Sequence, residues 1–311
     1  GSSGCCAAMA AGGVRRVLGL PSTWHRGMIH NVTFSPDGNN LVTASDDKTA
    51  LLWKVQPLQF PVLKHQDEVV VARFLPDGKQ ILTASNDMTV RLWNADTTGL
   101  LNTYAKVFGP DSYANKRIYS LDISPDGERF VTTGTDYTVR IWQVESGKVI
   151  KEWIEGRKQC SPSGWCGATN ARYAPDGQHI VTSDYAGMVK IFDSDGTFLR
   201  RVQAHEDEVN GIAISLDNKR MLTGSNDSTI KLWDFESLEL QKTFSDHTRA
   251  VRSVTFSDKG DQILSGSDDQ TVKLWDLQGN ILLTIEAHAN KVRSVEFSQD
   301  MKKILTSSED N

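Results

Sequence analysis

Residues 221–233 read MLTGSNDSTIKLW: an apolar strand-like segment, a tight polar turn, and a second strand-like segment ending in tryptophan. Working outward, the same pattern recurs along the chain. Its other copies end at Trp53, Trp93, Trp142, Phe192 and Trp275, and a shortened copy, ILTSSEDN, reaches Asn311. Successive terminal aromatics lie 40, 49, 50, 41 and 42 residues apart. A period of about 40 to 45 residues is typical of four-stranded repeat units.

Each period has room for two more strands. Upstream of the quoted segment, GIAISLDN alternates apolar and polar residues and ends in a turn signal, and LELQKTF downstream fits a fourth strand. Because no helical periodicity is convincing anywhere, the pattern predicts an all-β closed ring.

Composition sets the broad class of the protein. The chain has 311 residues, 39% hydrophobic and 23% charged, which is typical of a globular, core-forming protein. The net charge of −5 argues against a general nucleic-acid coat, and no apolar run approaches the roughly 18 residues of a membrane helix. Four cysteines are too few for a disulfide scaffold. No secretory signal is recognisable, so a cytoplasmic location is the default expectation.

These repeats resemble those of the WD-repeat β-propeller family, over nearly the whole chain from about residue 14. The WD dipeptide itself stands at Trp233-Asp234 and Trp275-Asp276. The resemblance implies a seven-bladed propeller of four-stranded antiparallel blades. We interpret residues 1–12 as an expression remnant or a flexible N-terminus, and residues 13–311 as a single propeller whose last blade is incomplete at the C-terminus.

In that family, a histidine, a serine or threonine, an aspartate and the tryptophan form a buried hydrogen-bonded chain in each blade. Such a chain gives every buried donor a partner. Matching position by position, four blades keep the full set: His25, Ser45, Asp47 and Trp53; His65, Ser85, Asp87 and Trp93; His205, Ser225, Asp227 and Trp233; and His247, Ser267, Asp269 and Trp275. The seventh repeat keeps His288, Ser308 and Asp310.

The third and fourth repeats depart from this pattern. The third has Asp136 and Trp142, but Gly134 replaces the serine and no histidine is found. In the fourth, the serine, aspartate and tryptophan positions hold Asp184, Ala186 and Phe192. Both carry insertions, near residues 101–116 and 155–167, which we place in loops that lead into blades.

Ring closure depends on the N-terminus, because the last repeat ends after two strands. The segment VRRVLGL at residues 14–20 fits the outermost strand of that blade. Nothing convincing fits its third strand, since residues 6–11 are small and alanine and glycine are poor strand formers.

Catalytic and metal chemistry find little support in the sequence. The repeated histidines are explained by structural pairing, and His30 alone lies on an inner strand near the channel mouth, where a hydrolase would have to be built. The aspartate-rich turns lack the spacing of a calcium loop. We therefore predict no enzymatic activity, no metal and no cofactor. Cys160 and Cys166 form either a small disulfide loop or two free thiols.

With catalysis and metal binding set aside, the exposed surface is the remaining place to look for function. Residues near the channel mouth on the loop side are basic in blades six and seven, and the insertions add aromatic residues, which commonly anchor interfaces. The candidates for partner binding are Arg117, Tyr119, Arg249, Arg252, Lys291, Arg293, His30, Tyr113 and Trp165. We expect a non-catalytic scaffold for protein–protein interaction that binds a protein or peptide partner, acidic if these cations are used. Solvated charges that keep the face soluble are the alternative. A second hypothesis is a regulatory domain of a larger signalling ATPase or kinase.

Overall fold

The computed structural model describes residues 7–10, 13–16, 25–54, 60–105, 117–155, 167–286 and 288–310. These residues form 28 strands in seven four-stranded antiparallel sheets. Blades one to three run from the inner strand outward as β3 (Ile29–Phe34), β4 (Asn40–Ser45), β5 (Thr49–Lys54) and β6 (Val62–Lys64); β7 (Val69–Phe74), β8 (Gln80–Ser85), β9 (Thr89–Asn94) and β10 (Leu100–Ala105); and β11 (Ile118–Ile123), β12 (Arg129–Gly134), β13 (Thr138–Gln143) and β14 (Val149–Ile154).

Blades four to six follow the same order. They comprise β15 (Ala168–Tyr173), β16 (His179–Asp184), β17 (Met188–Asp193) and β18 (Phe198–Gln203); β19 (Val209–Ile214), β20 (Arg220–Ser225), β21 (Ile230–Asp234) and β22 (Leu240–Phe244); and β23 (Val251–Phe256), β24 (Gln262–Ser267), β25 (Val272–Asp276) and β26 (Ile281–Ile285). Blade seven combines both ends of the chain: β27 (Val292–Phe297), β28 (Lys303–Ser308), β1 (Ala7–Ala10) and β2 (Gly13–Arg16).

The inner strands close a ring. Each contacts the inner strand of the next blade, and β27 contacts β3, so the fold is the expected seven-bladed propeller. The loops that lead into the blades and the tight turns between second and third strands share one side, which we call the loop face. The remaining turns lie on the opposite side, the turn face. No helix that could cross a membrane is found in the described part of the chain.

Blade seven corrects one expectation from the sequence. Residues 13–16 form the outermost strand, as expected for part of the 14–20 segment, but a third strand does exist: Ala7–Ala10 pairs with β28, with Ala7 opposite Thr306. The physical reason is that the ladder is made by backbone groups, so an otherwise unpaired β28 can be completed by residues of low strand propensity.

The core lies between neighbouring blades rather than within one. Trp233 packs with Val181 and Ile191 of the preceding blade, and Trp275 packs with Leu222 and Leu232 of its own predecessor. The alternation of the strand sequences produces this arrangement, because side chains two residues apart share one face of a sheet. Each repeat therefore buries its apolar face only when its neighbour is present.

Candidate functional site: the loop face and its supporting hydrogen bonds

The repeated histidines are structural, but the hydroxyl that they use is not the one expected. In blade one, the His25 ring binds the Asp47 carboxylate through Nδ1 at 2.9 Å and the Thr43 hydroxyl through Nε2 at 2.7 Å. The Trp53 indole N–H donates to the same Thr43 oxygen at 2.9 Å. Ser45 lies outside this chain and instead accepts from the backbone N–H of Asp47. The predicted role of Ser45 as the bridge between imidazole and indole is wrong.

The same correction applies to the other regular blades. The bridging hydroxyls belong to Thr83, Thr223 and Ser265 rather than to Ser85, Ser225 and Ser267. The complete sets are His65, Thr83, Trp93 and Asp87; His205, Thr223, Trp233 and Asp227; and His247, Ser265, Trp275 and Asp269. In blade seven, His288 joins Asp310 and Thr306, so Ser308 is likewise not the bridge.

The aspartates of these sets are held in the ionised form. Burial alone would raise the pKa of the Asp47 carboxyl, but the hydrogen bond and charge of His25 outweigh burial and lower its pKa to about 2. The same balance lowers the pKa values of Asp87, Asp227 and Asp269. Each tight turn is therefore fixed by a carboxylate that also accepts from the threonine two residues later.

Blade three keeps part of the set. The Trp142 indole N–H donates to Thr132 at 2.9 Å, and Asp136 forms a buried ion pair with Arg140 at 2.8 Å. Gly134 occupies the expected serine position at the end of β12. The loop that leads into this blade falls outside the described residues at 106–116, and so does Tyr113.

Blade four replaces the histidine with a carboxylate. Glu155 directly follows β14, as His65 directly follows β6, and it is 4% exposed. Its carboxylate accepts from the Thr182 hydroxyl at 2.9 Å and from the Trp153 indole at 3.0 Å, and it pairs with Lys190 at 3.3 Å. Sequence reasoning missed this substitution because it searched only for histidine. One signal was present: Glu155 directly follows the outer strand of the preceding blade, in the short stretch where His65, His205 and His247 follow theirs by one to three residues.

Asp184 completes this alternative set. It stands where other blades have serine, and its Oδ1 accepts from the backbone N–H groups of Ala186 and Met188, each at 3.0 Å. Its other oxygen pairs with Lys190 at 3.4 Å. A single carboxylate thus secures the tight turn that serine and aspartate share elsewhere, which explains how Ala186 can replace the aspartate.

Above these supports, all seven inner strands have a β-bulge at the same position. The register shifts at one residue in every inner strand, and the seven bulged residues line the mouth of the central channel. A bulge directs a side chain away from the regular pleat. We call these residues the bulge ring: His30, Val70, Tyr119, Thr169, Asn210, Arg252 and Arg293. They surround a cavity of about 350 Å³.

The basic side of the mouth is partly neutralised by its own blades. Arg252 makes a bidentate pair with Asp268, at 2.9 and 2.6 Å, and also donates to Asn210 at 3.0 Å. Arg293 pairs with Glu309. Lys291 lies 4.0 Å from Asp268. Arg249 is exposed, and within the described ranges it has no carboxylate within 4.0 Å. We call Arg249, Arg252, Lys291 and Arg293 the basic arc.

Across the ring, Tyr119 contacts Tyr185 edge-to-face with ring centroids 6.0 Å apart. Burial raises the pKa of the Tyr119 hydroxyl, although its hydrogen bond with Tyr185 opposes that effect. Arg117 is exposed beside them. Trp165, Cys160 and Cys166 lie outside the described residues.

Three potential metal ligands also meet at the mouth. One ligand atom from each of His30, Asp46 and Glu68 lies within 4.8 Å of the others. His30 already binds the Asp46 carboxylate, and Glu68 accepts from Asn86 at 2.9 Å. His30 and Asp46 are therefore hydrogen-bonded to each other, and Glu68 is hydrogen-bonded to Asn86 beside them.

Deeper in the channel, two arginines share one carboxylate. Asp122 lies 3.4 Å from Arg73 and 3.6 Å from Arg172. Burial raises the pKa of the Glu296 carboxyl to about 7, although the positive charge of Arg73 opposes this shift. The channel interior is thus polar and internally compensated, whereas the mouth has cations that face solvent.

The fold and the repeated sets define a WD-repeat propeller. The chain belongs to the WD40 family: the family described as WD domain, G-beta repeat, matches residues 20–54, 59–94, 106–143, 196–234, 238–276 and 279–311. Residues 144–195, which contain most of blade four, fall between the matched stretches, in agreement with its different hydrogen-bonded set.

Several longer proteins are similar to this chain. Nuclear distribution protein nudF of Aspergillus flavus is 44% identical over 55 residues, covering 18% of this chain and 12% of that protein. Myosin heavy chain kinase C of Dictyostelium discoideum is 42% identical over 77 residues, covering 25% and 10%. Apoptotic protease-activating factor 1 of Mus musculus is 25% identical over 235 residues, covering 74% and 17%. The chain thus spans less than a fifth of the length of each of these relatives.

Proposed function

We propose that this propeller is a non-enzymatic interaction module that binds an acidic protein segment on its loop face. The observation that carries the proposal is the contrast between the hydrogen-bonded sets, which repeat, and the bulge ring, which does not. The hydrogen-bonded sets recur from blade to blade, whereas the bulge ring above them presents a different side chain in almost every blade. Variation at positions that the scaffold itself does not need is what a specific binding surface requires.

The charge of the basic arc favours an acidic partner. The basic arc has four cations against three nearby carboxylates, Asp268, Glu309 and Glu208, so a positive excess remains. Its most accessible members are Arg249, which is exposed, and Lys291, whose side chain is 39% exposed. Charge complementarity mainly sets partner choice and the rate of association. Arg117 and Tyr119 lie across the mouth, where they would contact a segment that spans it.

The absence of catalysis is part of the same proposal. Each repeated histidine uses both ring nitrogens, one for an aspartate and one for a hydroxyl. These imidazoles and the hydroxyls that they bind, those of Thr43, Thr83, Thr223 and Ser265, are buried, so a substrate would have no access to them. His30 is held by Asp46. A hydrolase at His30 would require turnover that His30→Gln abolishes, and we expect none against a broad panel of esters and peptides.

The experiment compares exposed cations on the two faces. Arg252 and Arg293 are poor choices for charge reversal, because a glutamate there would face Asp268 or Glu309 and disturb the fold. The test variant is Arg249→Glu with Lys291→Glu. The control, Lys219→Glu with Lys302→Glu, makes the same change in net charge at exposed turns on the turn face. Circular dichroism and thermal unfolding establish that both variants fold.

Both variants and the wild type are used for affinity purification from source-cell lysate, and the captured protein is then titrated against each. We expect the loop-face variant to bind at least tenfold more weakly, with wild-type affinity falling steeply between 50 and 500 mM salt, about a threefold change in Debye length. Equal binding by the wild type and both variants would contradict the proposal.

A second candidate function concerns the larger protein. The similarity to mouse apoptotic protease-activating factor 1 covers 74% of this chain but 17% of that protein. This favours a regulatory domain within a longer multidomain signalling protein. An antibody raised against the propeller should then detect a source-cell protein several times its 34.5 kDa mass, and a single band near that mass would contradict this candidate.

A further inference from the structure

A second cavity, of about 590 Å³, opens on the turn face between blades two and three. Its floor is apolar: Leu75, Leu92 and Val144 belong to one buried cluster and line it. Leu101 of β10 stands at its edge with 50% of its surface exposed. We call this cavity the blade two–three groove.

The apolar floor arises from one departure within the repeat. Leu75 occupies the first position of the turn between β7 and β8. Five other blades have serine there, and its hydroxyl binds the same turn; Ser35, for example, accepts from the Asn40 N–H at 2.9 Å. The serines are Ser35, Ser124, Ser215, Ser257 and Ser298. Leu75 makes no such bond and packs into the buried core, so among these six blades only blade two has leucine at this position.

The rim of the groove is acidic. Asp77, Asp126, Glu128 and Glu145 line it and are all exposed. No lysine or arginine is found among the described residues that line it. Slight burial would raise the pKa of Asp126, but hydrogen bonds from Ser124 and from the Glu128 amide lower it, so this carboxylate is ionised at neutral pH. Four carboxylates around an apolar floor create a local negative potential, which Arg129 offsets only at Asp126.

We propose that the blade two–three groove binds a short protein segment in which an apolar side chain is flanked by lysine or arginine. The apolar side chain packs against Leu101 and the floor, and the flanking cations pair with the rim carboxylates. This is a site distinct from the basic arc, on the opposite face and with the opposite charge preference. The propeller then has two docking sites that select differently charged segments and do not compete.

The test uses the full chain and a displayed library of random twelve-residue peptides as the probe. Enriched peptides are synthesised with a fluorescent label and titrated by anisotropy. The groove variant is Glu128→Lys with Glu145→Lys, and the matched control is Glu239→Lys with Asp258→Lys, two exposed acidic residues in turns of the same face. Leu101→Ser is a second, uncharged groove variant whose site is half exposed, so it should fold.

We expect the enriched peptides to combine lysine or arginine with leucine, isoleucine, methionine or phenylalanine. Their affinity should fall at least tenfold with the charge-reversed groove and at least threefold with Leu101→Ser. The control and the Arg249→Glu, Lys291→Glu variant should bind as wild type does, which separates this site from the loop face. Enrichment without a basic–apolar motif, or equal binding to wild type and Leu101→Ser, overturns the proposal.

Discussion

Blades five and four each have a buried hydrogen-bonded set at the same place, but the two sets use different residue types. In blade five, His205 lies between Asp227 and Thr223, and the Trp233 indole completes the chain. In blade four, a carboxylate replaces the imidazole and a lysine supplies the counter-charge. The tryptophan position of blade four holds Phe192, which has no N–H to satisfy. Glu155 instead accepts from the indole of Trp153, which lies on β14, the outer strand of blade three.

The comparison shows what the fold requires at this position. It requires a buried group that accepts the hydrogen bond of a second-strand hydroxyl and is itself neutralised by a partner from the tight turn or the third strand. Either a histidine with an aspartate or a glutamate with a lysine meets this requirement, because both leave no buried polar atom unpaired. The family pattern is therefore one solution among several.

The largest expected effect comes from removing the carboxylate of blade four. Glu155→Leu leaves Thr182, the Trp153 indole and Lys190 without their shared acceptor, and breaking a buried charge pair in this way costs about 3–5 kcal/mol. Urea unfolding followed by tryptophan fluorescence measures the change. Glu239→Leu, at an exposed turn of blade five, is the control. A cost for Glu155→Leu no larger than that of the control would show that blade four does not depend on this set.

We expect acid to destabilise the regular blades by protonating the aspartates of their hydrogen-bonded sets. An aspartate with a lowered folded-state pKa adds stability above its unfolded value near 3.8, and that stability is lost as the pH falls toward the folded value, which is about 2 for Asp47. The lowered pKa of Asp47 therefore contributes about 2 kcal/mol to the free energy of unfolding at neutral pH. We expect Asp47→Asn to be less stable than wild type at pH 7 and the gap to narrow toward pH 2.

Unfolding free energies at pH 7, 5, 4 and 3 measure that gap. Asp195→Asn in blade four, where the aspartate side chain is 75% exposed, is the control and should differ little from wild type throughout. A gap for Asp47→Asn that stays constant from pH 7 to 3 would contradict the expected role of its charge.

A smaller loss of stability should distinguish the two hydroxyls of β8, those of Thr83 and Ser85. Thr83→Val removes the oxygen that serves both His65 and Trp93, and leaving buried partners unpaired costs about 1–3 kcal/mol. Ser85→Ala removes one hydrogen bond to the Asp67 carbonyl, in the loop that leads into the blade, and one from the Asp87 amide of the turn, and we expect a cost of about 1 kcal/mol or less. Thermal and urea unfolding of the two variants give the ranking, and the reverse order would restore serine as the bridge.

The mistaken serine shows where sequence reasoning stopped. Thr43 and Ser45 are two residues apart on β4, so they face the same side of the sheet and alternation cannot distinguish them. The register does distinguish them. Trp53 lies opposite Leu41, which makes Thr43 its diagonal neighbour and places Ser45 one step farther away. The placement of His30, Tyr119, Arg252 and Arg293 at the channel mouth, in contrast, followed from the sequence, because the first residues of each inner strand recur at a fixed distance from the turn.

The sequence by itself determined the repeat, the number of repeats and the four strands of each repeat, and its resemblance to the WD-repeat family implied the regular histidines and aspartates. The repeat and its strands depend on residues close together in the chain, where periodicity and turn chemistry act directly. The tertiary structure alone decided that Ala7–Ala10 completes blade seven, that Glu155 replaces a histidine, that Arg252 and Arg293 are paired, and that Leu75 and Glu145 share a groove. Each of these depends on contacts between segments from different strands or blades, and such contacts arise only when the ring closes and fixes one blade against the next.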